Sequence, residues 1–197
     1  MNKKLLPVLV SMWCIFSASL SEAVLINLTE KDVQQAIEYG ENNKGADYLG
    51  FFKDWRVDLG YGTGSARIIT PFSKIAFEAK NAASEDKRVE PDDISKILEE
   101  SKGKLAFGVS IYGETRDFGQ SASAVLIQGD KTIQPIDSRP AMKAEPTPSW
   151  PNPPSYRAIC YYDFDVKEID PKGTVTLVVS VPEQVDVKFP FDLSAVK

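Results

Sequence analysis

Two hydrophobic periods divide the chain, and they change over near residue 104. Before that point apolar residues fall three and four apart, as on one face of a helix. After it they alternate, as on a strand. Thr29 reads as a helix N-cap, with Asp32 three residues on as a capping-box partner and Leu28 and Val33 placed as a hydrophobic staple. Val33, Ala36 and Ile37 form the inward side of that helix, with Tyr39 and Gly40 beside them, and Gly40 or Gly45 ends it. Tyr48, Phe51, Phe52 and Trp55 then occupy one helical face. Gly60, Gly62 and Gly64 mark a flexible loop. Thr70-Pro71 opens a helix with Phe72, Ile75, Ala76, Ala79 and Ala83 inward. Glu90-Pro91 opens another, with Ile94, Ile97 and Leu98 inward and Gly103 as its stop.

From Leu105 the pattern predicts six strands. They are Leu105 to Ile111, Ala122 to Gln128, Thr132 to Ile136, Tyr156 to Phe164, Val175 to Val181 and Val185 to Phe191. Gly129-Asp130 reads as a hairpin link, and Asp170-Pro171-Lys172-Gly173 as a turn. Residues 138–155 hold Pro140, Pro146, Pro148, Pro151, Pro153 and Pro154. Such a segment is excluded from helix and from a central strand. It is either a mobile loop or a polyproline-like arm laid over the sheet, and Trp150 favours docking at one point. The expected fold is α+β. A helical segment, residues 24–103, packs on a C-terminal antiparallel β-sandwich or open barrel of about six strands, residues 104–197. The two segments are expected to form one unit, because each alone would expose an apolar face.

The N-terminus changes the picture of where this fold works. Lys3 and Lys4 precede an uncharged run from Leu5 to Leu20, and Ser21-Glu22-Ala23 has small residues where a signal peptidase requires them. Residues 1–23 therefore read as a cleavable export signal. The run falls short of the roughly 20 residues of a membrane span. Trp13 before Cys14 argues against a lipoprotein signal. Periplasmic or secreted localisation is expected, with no transmembrane segment after cleavage.

Charge and composition then exclude whole classes. The formal net charge is −5, and loss of the leader makes it one unit more negative. Nucleic acid as a general partner is excluded, since phosphate contacts need a basic surface. The chain has no histidine, which removes Ser-His-Asp and Cys-His catalysis and histidine-ligated zinc. Cys160 is the one cysteine outside the leader. It reads as a buried thiol, the alternative being an intermolecular disulfide. No cofactor, metal site or catalytic set is expected.

Several patterns carry candidate chemistry. Ser84-Glu85-Asp86-Lys87 has the S-x-x-K spacing but none of its companion elements, and reads as chance. The glycines at 60, 62 and 64 lack the order and lysine of a phosphate loop. On a strand, Tyr161, Asp163 and Asp165 project from one face and Cys160, Tyr162 and Phe164 from the other. The second set reads as core. The first places two carboxylates about 7 Å apart at a rise of roughly 3.3 Å per residue. That arrangement suits a sugar, acid–base work or a calcium ion, or else marks the solvated face of an edge strand. The aromatic stripe at 48–55 reads as core, with partner docking as the alternative.

These readings point to an exported non-catalytic binding or structural protein of the bacterial cell envelope. Its expected partner is another envelope or secreted protein, and Trp150, Tyr161, Asp163 and Asp165 are the candidate binding residues. The alternative is a carboxylate-dependent envelope hydrolase acting on a glycan-type substrate through Asp163 and Asp165.

Overall fold

The fold was obtained as a computed structural model that describes residues 27–196; the leader predicted at 1–23 lies outside the described residues. Helix α1, Glu30–Asn42, begins at the capping box: Asp32 N–H donates to Thr29 Oγ1 at 3.3 Å, and Thr29 N–H donates to Asp32 Oδ2 at 2.8 Å. Two of the donors that a helix N-terminus leaves unpaired are thereby satisfied. The helix does not end at Gly40 but runs through it to Asn42. Gly40 is the point of closest approach to α3, Pro71–Ser84, which starts at the predicted Thr70-Pro71 cap. Helix α2 is a single turn, Tyr48–Phe51, capped by Asp47. A 3-10 turn, Lys53–Trp55, replaces the expected continuation. The chain must leave the helix there because Arg56 enters a sheet. Phe51, Phe52 and Trp55 are nonetheless buried, and the Tyr39 ring stands edge-on to Phe51 and to Trp55 with centroids 5.5 Å apart in each case. The stripe is thus core except for Tyr48, which is exposed. Helix α4, Pro91–Ser101, ends before Gly103, whose φ of +71° lies in the region that favours glycine.

The first sheet contains β1 (Arg56–Asp58), β2 (Ser65–Ile69), β3 (Lys104–Gly113), β6 (Asp137–Arg139), β7 (Glu145–Pro146) and β8 (Tyr156–Asp165). Its order is β1-β2-β3-β8-β6, with β7 also on β8, and every pairing is antiparallel. The second contains β4 (Ser123–Gln128), β5 (Lys131–Ile133), β9 (Thr174–Ser180) and β10 (Val187–Asp192), in the order β10-β9-β4-β5. Gly129-Asp130 makes the β4–β5 hairpin, and Gly173 N–H closes its turn on the Asp170 carbonyl at 3.2 Å. All six predicted strands are present. The four others are short or flanked by glycine and proline. Gly60 to Gly64 is the β1–β2 hairpin turn rather than a loose loop: Leu59 N–H donates to the Gly64 carbonyl at 2.9 Å, and Gly60, Gly62 and Gly64 all have positive φ.

The sheets face each other across one continuous core that also takes in Ala36, Phe72, Ile75 and Ala76 of the helices. The arrangement is sandwich-like, not a closed barrel. Phe107 on β3 links the two layers, its ring 5.7 Å from Phe164 on the same sheet and 5.4 Å from Phe191 on the other. Cys160, Tyr162 and Phe164 are wholly buried, as the alternation predicts. Burial pushes the Cys160 thiol up, so it remains protonated and unreactive.

The Tyr162 hydroxyl is buried with no hydrogen-bond partner among the described residues. Beside it lies the Cys160 thiol, a weak donor and acceptor. An unsatisfied buried hydroxyl costs about 1–3 kcal/mol, whereas removing it without changing shape is nearly neutral or favourable. Tyr162→Phe is therefore expected to leave the urea midpoint unchanged or to raise stability by about 1 kcal/mol. A loss of that size would mean that the hydroxyl is satisfied in solution.

Candidate functional site

Strand alternation sends Phe107, Val109 and Ile111 into the core and turns Gly108, Ser110 and Tyr112 outward. The same rule turns Ser65 and Arg67 of β2, and Arg157, Ile159 and Tyr161 of β8, onto that outer face. The register lines them up: Arg67 lies opposite Gly108, and Gly108 opposite Tyr161; Ser65 lies opposite Ser110, and Ser110 opposite Ile159. The result is a trough of about 400 Å³. Its floor is small and polar, formed by Ser65, Gly108 and Ser110. Tyr48 and Leu49 of α2 and Tyr61 of the β1–β2 turn border it, as do Ile159 and Tyr161 across the sheet. Four of the chain's seven tyrosines line this trough.

Arg67 lines it from β2. The guanidinium carbon lies 4.0 Å from the centroid of the Phe52 ring and 5.6 Å from that of Tyr48. No carboxylate of the described residues pairs with it; its electrostatic neighbours are the Tyr48 and Tyr161 phenols. Burial lowers its pKa from the ordinary arginine value, though guanidinium remains charged at any physiological pH. Arg56 is the cross-strand neighbour of Arg67, a like-charge pair that is unfavourable by itself. Asp58 offsets it, with an oxygen 2.9 Å from Arg56. Arg157 borders the far side and reaches Glu145 at 3.5 Å. Tyr161 lies against Gly108, where an added Cβ would meet its ring at 3.1 Å, and the residue remains 39% exposed.

The proline-rich segment adjoins this trough. It is an arm on the sheet edge, held by β6 and β7 and by hydrogen bonds within itself. Thr147 N–H donates to the Ser155 carbonyl at 2.9 Å, and Ser155 Oγ donates to Glu114 at 2.9 Å. The Trp150-Pro151 and Pro153-Pro154 bonds are cis. Trp150 donates through Nε1 to the Tyr156 hydroxyl at 3.1 Å but is 55% exposed. Tyr61 OH donates to Ser149 Oγ at 2.9 Å, so the residue beside Trp150 is fastened to the rim of the trough.

Among the four predicted binding residues, Tyr161 therefore lines the trough and Trp150 stands on the arm that touches it. The two carboxylates do other work. β8 is not an edge strand, because the arm's β6 and β7 cover its second side. Asp163 is correspondingly buried at 6% exposure rather than solvated. It accepts from Arg139 Nη2 at 2.8 Å and Nη1 at 3.3 Å, a bidentate pair that occupies both oxygens. Arg139 also pairs with Asp137. Asp165 caps a 3-10 turn, accepting from Lys167 N–H at 2.9 Å. No group of three metal-ligating side chains occurs among the described residues. Ser84 donates to the Lys80 and Lys44 carbonyls while Lys87 pairs with Glu85, so the S-x-x-K spacing makes no Ser–Lys contact. Among the described residues no helix is long and apolar enough to cross a membrane.

No family model matches this chain, and no curated protein or solved structure shows significant similarity to it.

The arginines are what the sequence reading passed over. Four of the six in the chain, Arg56, Arg67, Arg139 and Arg157, project on one face of one sheet. Their signal in the sequence is faint: Ser65, Arg67 and Ile69 alternate with Ala66 and Ile68, but the run is short and follows a glycine-rich turn.

Proposed function

We propose that the chain is an exported, non-catalytic binding protein of the bacterial cell envelope, and that it recognises its partner in the trough on the outer face of the β1–β2–β3–β8 sheet. One observation carries the reading. Arg67 is partly buried under aromatic rings, in a concave site, with no anionic partner of its own. A charge that has lost part of its water and is paired with no anion is stabilised when a ligand supplies the counter-charge. Exposed tyrosines around it provide contact area at small entropic cost. The absence of histidine and the structural duties of Asp163 and Asp165 support binding over hydrolysis.

The test is a photo-crosslinking residue at Leu49, on the rim, compared with one at Lys96 on α4, outside the trough. After irradiation in native envelope, covalent adducts, polypeptide or glycan, are expected from position 49 and not from 96. Equal adducts from both, or none from 49, would overturn the reading. Trp150→Ala should reduce the adduct yield several-fold while shifting Tm by no more than a few degrees, because the indole is mostly exposed.

A further inference from the structure

We propose that the occupant of the trough is an acidic sugar unit of a surface glycan, with its carboxylate on Arg67. This inference rests on the trough being the recognition site and adds the chemistry of what it takes.

The guanidinium is preorganised. The Phe52 ring centroid lies 4.0 Å from its central carbon and that of Tyr48 5.6 Å away, with the Tyr161 phenol as a further electrostatic neighbour. A planar fork of N–H donors held in this way matches a carboxylate in two parallel hydrogen bonds. The flanking phenols supply further donors. A neutral ligand would leave this charge unanswered.

The rest of the trough suits a hydroxylated ring. The middle of the floor is Gly108 and Ser110, with Ser65 beside them, so small polar groups meet the ligand where it sits deepest. The Asp58–Arg56 pair adds an acceptor and donors at the rim. Tyr61, its ring 5.3 Å from that of Tyr112, and Tyr161 offer exposed aromatic surface to the apolar face of a sugar. A protein interface concentrates apolar groups at its centre. Here hydroxyl and charged groups occur both on the floor, in Ser65 and Ser110, and at the rim, in Arg56, Asp58 and Arg157. The volume, about 400 Å³, is that of a small-ligand cleft.

The experiment is calorimetric titration of the purified protein with oligosaccharides of glucuronate and of galacturonate and with a muramic-acid disaccharide. Each is paired with its carboxyl-reduced neutral counterpart, and an aspartate-rich heptapeptide serves as the acidic protein probe. At least one acidic saccharide is expected to bind tenfold or more tightly than its reduced counterpart. Arg67→Met should abolish that difference with Tm unchanged, Arg67→Lys should restore only part of it, and Arg88→Met, at an exposed position between α3 and α4 that does not line the trough, should leave it intact. The proposal is overturned if no acidic saccharide exceeds its neutral counterpart tenfold, or if Arg67→Met keeps the preference. It is also overturned if the heptapeptide binds more tightly than every saccharide, which would make the occupant a protein. Adducts localised to position 49 together with failure of every saccharide would leave the trough as the recognition site and remove only the sugar.

Discussion

Phe107→Ala is expected to destabilise the protein by about 4 kcal/mol, a fall in Tm of roughly 12 °C for a chain of this length. Phe107 is fully buried on β3 and contacts rings from both sheets, Phe164 at 5.7 Å and Phe191 at 5.4 Å between centroids. Truncation removes the transfer energy of the ring and leaves a cavity bounded by two layers, neither of which can collapse without displacing a paired strand. The same substitution should spare the trough. Gly108 and Ser110 leave β3 on the opposite face, so ligand affinity measured well below the melting transition should stay within a few-fold of the parent. Urea denaturation and ligand titration on one preparation check both halves. A loss under about 2 kcal/mol would show that the sheets do not depend on this contact.

Gly40→Ala is expected to lower stability by about 2 kcal/mol, against the local preference of the residue for helix. Alanine in place of glycine within a helix is worth about 1 kcal/mol in its favour. Here the new Cβ would lie 2.1 Å from the Ala76 carbonyl oxygen and 2.8 Å from the Ala79 Cβ and the Lys80 nitrogen. These are atoms of α3 that cannot swing aside as the tip of a long side chain would. α1 must withdraw from α3, loosening the packing of Ala36 and Ala76. Overpacking of this kind costs about 3 kcal/mol at the upper end of its usual range, and the difference gives the net loss. Chemical denaturation decides the sign: a variant more stable than the parent would mean that the helices are not in backbone contact at Gly40.

Gly40 also shows how far reading residues in order can reach. A glycine late in a helical pattern looks like a C-terminal stop, since nothing within the helix asks for it. The demand comes from α3, whose Ala76 and Ala79 lie 36 and 39 residues on in the chain. The same separation explains Asp163. Strand alternation places it correctly on the outer face, but exposure depends on what comes over that face, and Arg139 arrives from the proline-rich arm. An arm of prolines has no periodicity from which its docking position can be read.

Local features were legible wherever they depend on neighbours within a few residues. Thr29 and Asp32 cap α1, Thr70-Pro71 opens α3, Gly129-Asp130 turns β4 into β5, and Cys160, Tyr162 and Phe164 alternate into the core. Each follows from backbone hydrogen bonding, φ preference or side-chain alternation, all short-range constraints. The α+β class follows from their sum. The trough does not. Arg67, Gly108 and Tyr161 become neighbours only through the pairing of β2 with β3 and β3 with β8, and Phe52 comes under Arg67 only because α2 packs beside that sheet. Register between distant strands and the docking of a helix are set by burial summed over the whole core. A site assembled from a few residues on each of several distant elements therefore leaves no contiguous motif in the order of the amino acids.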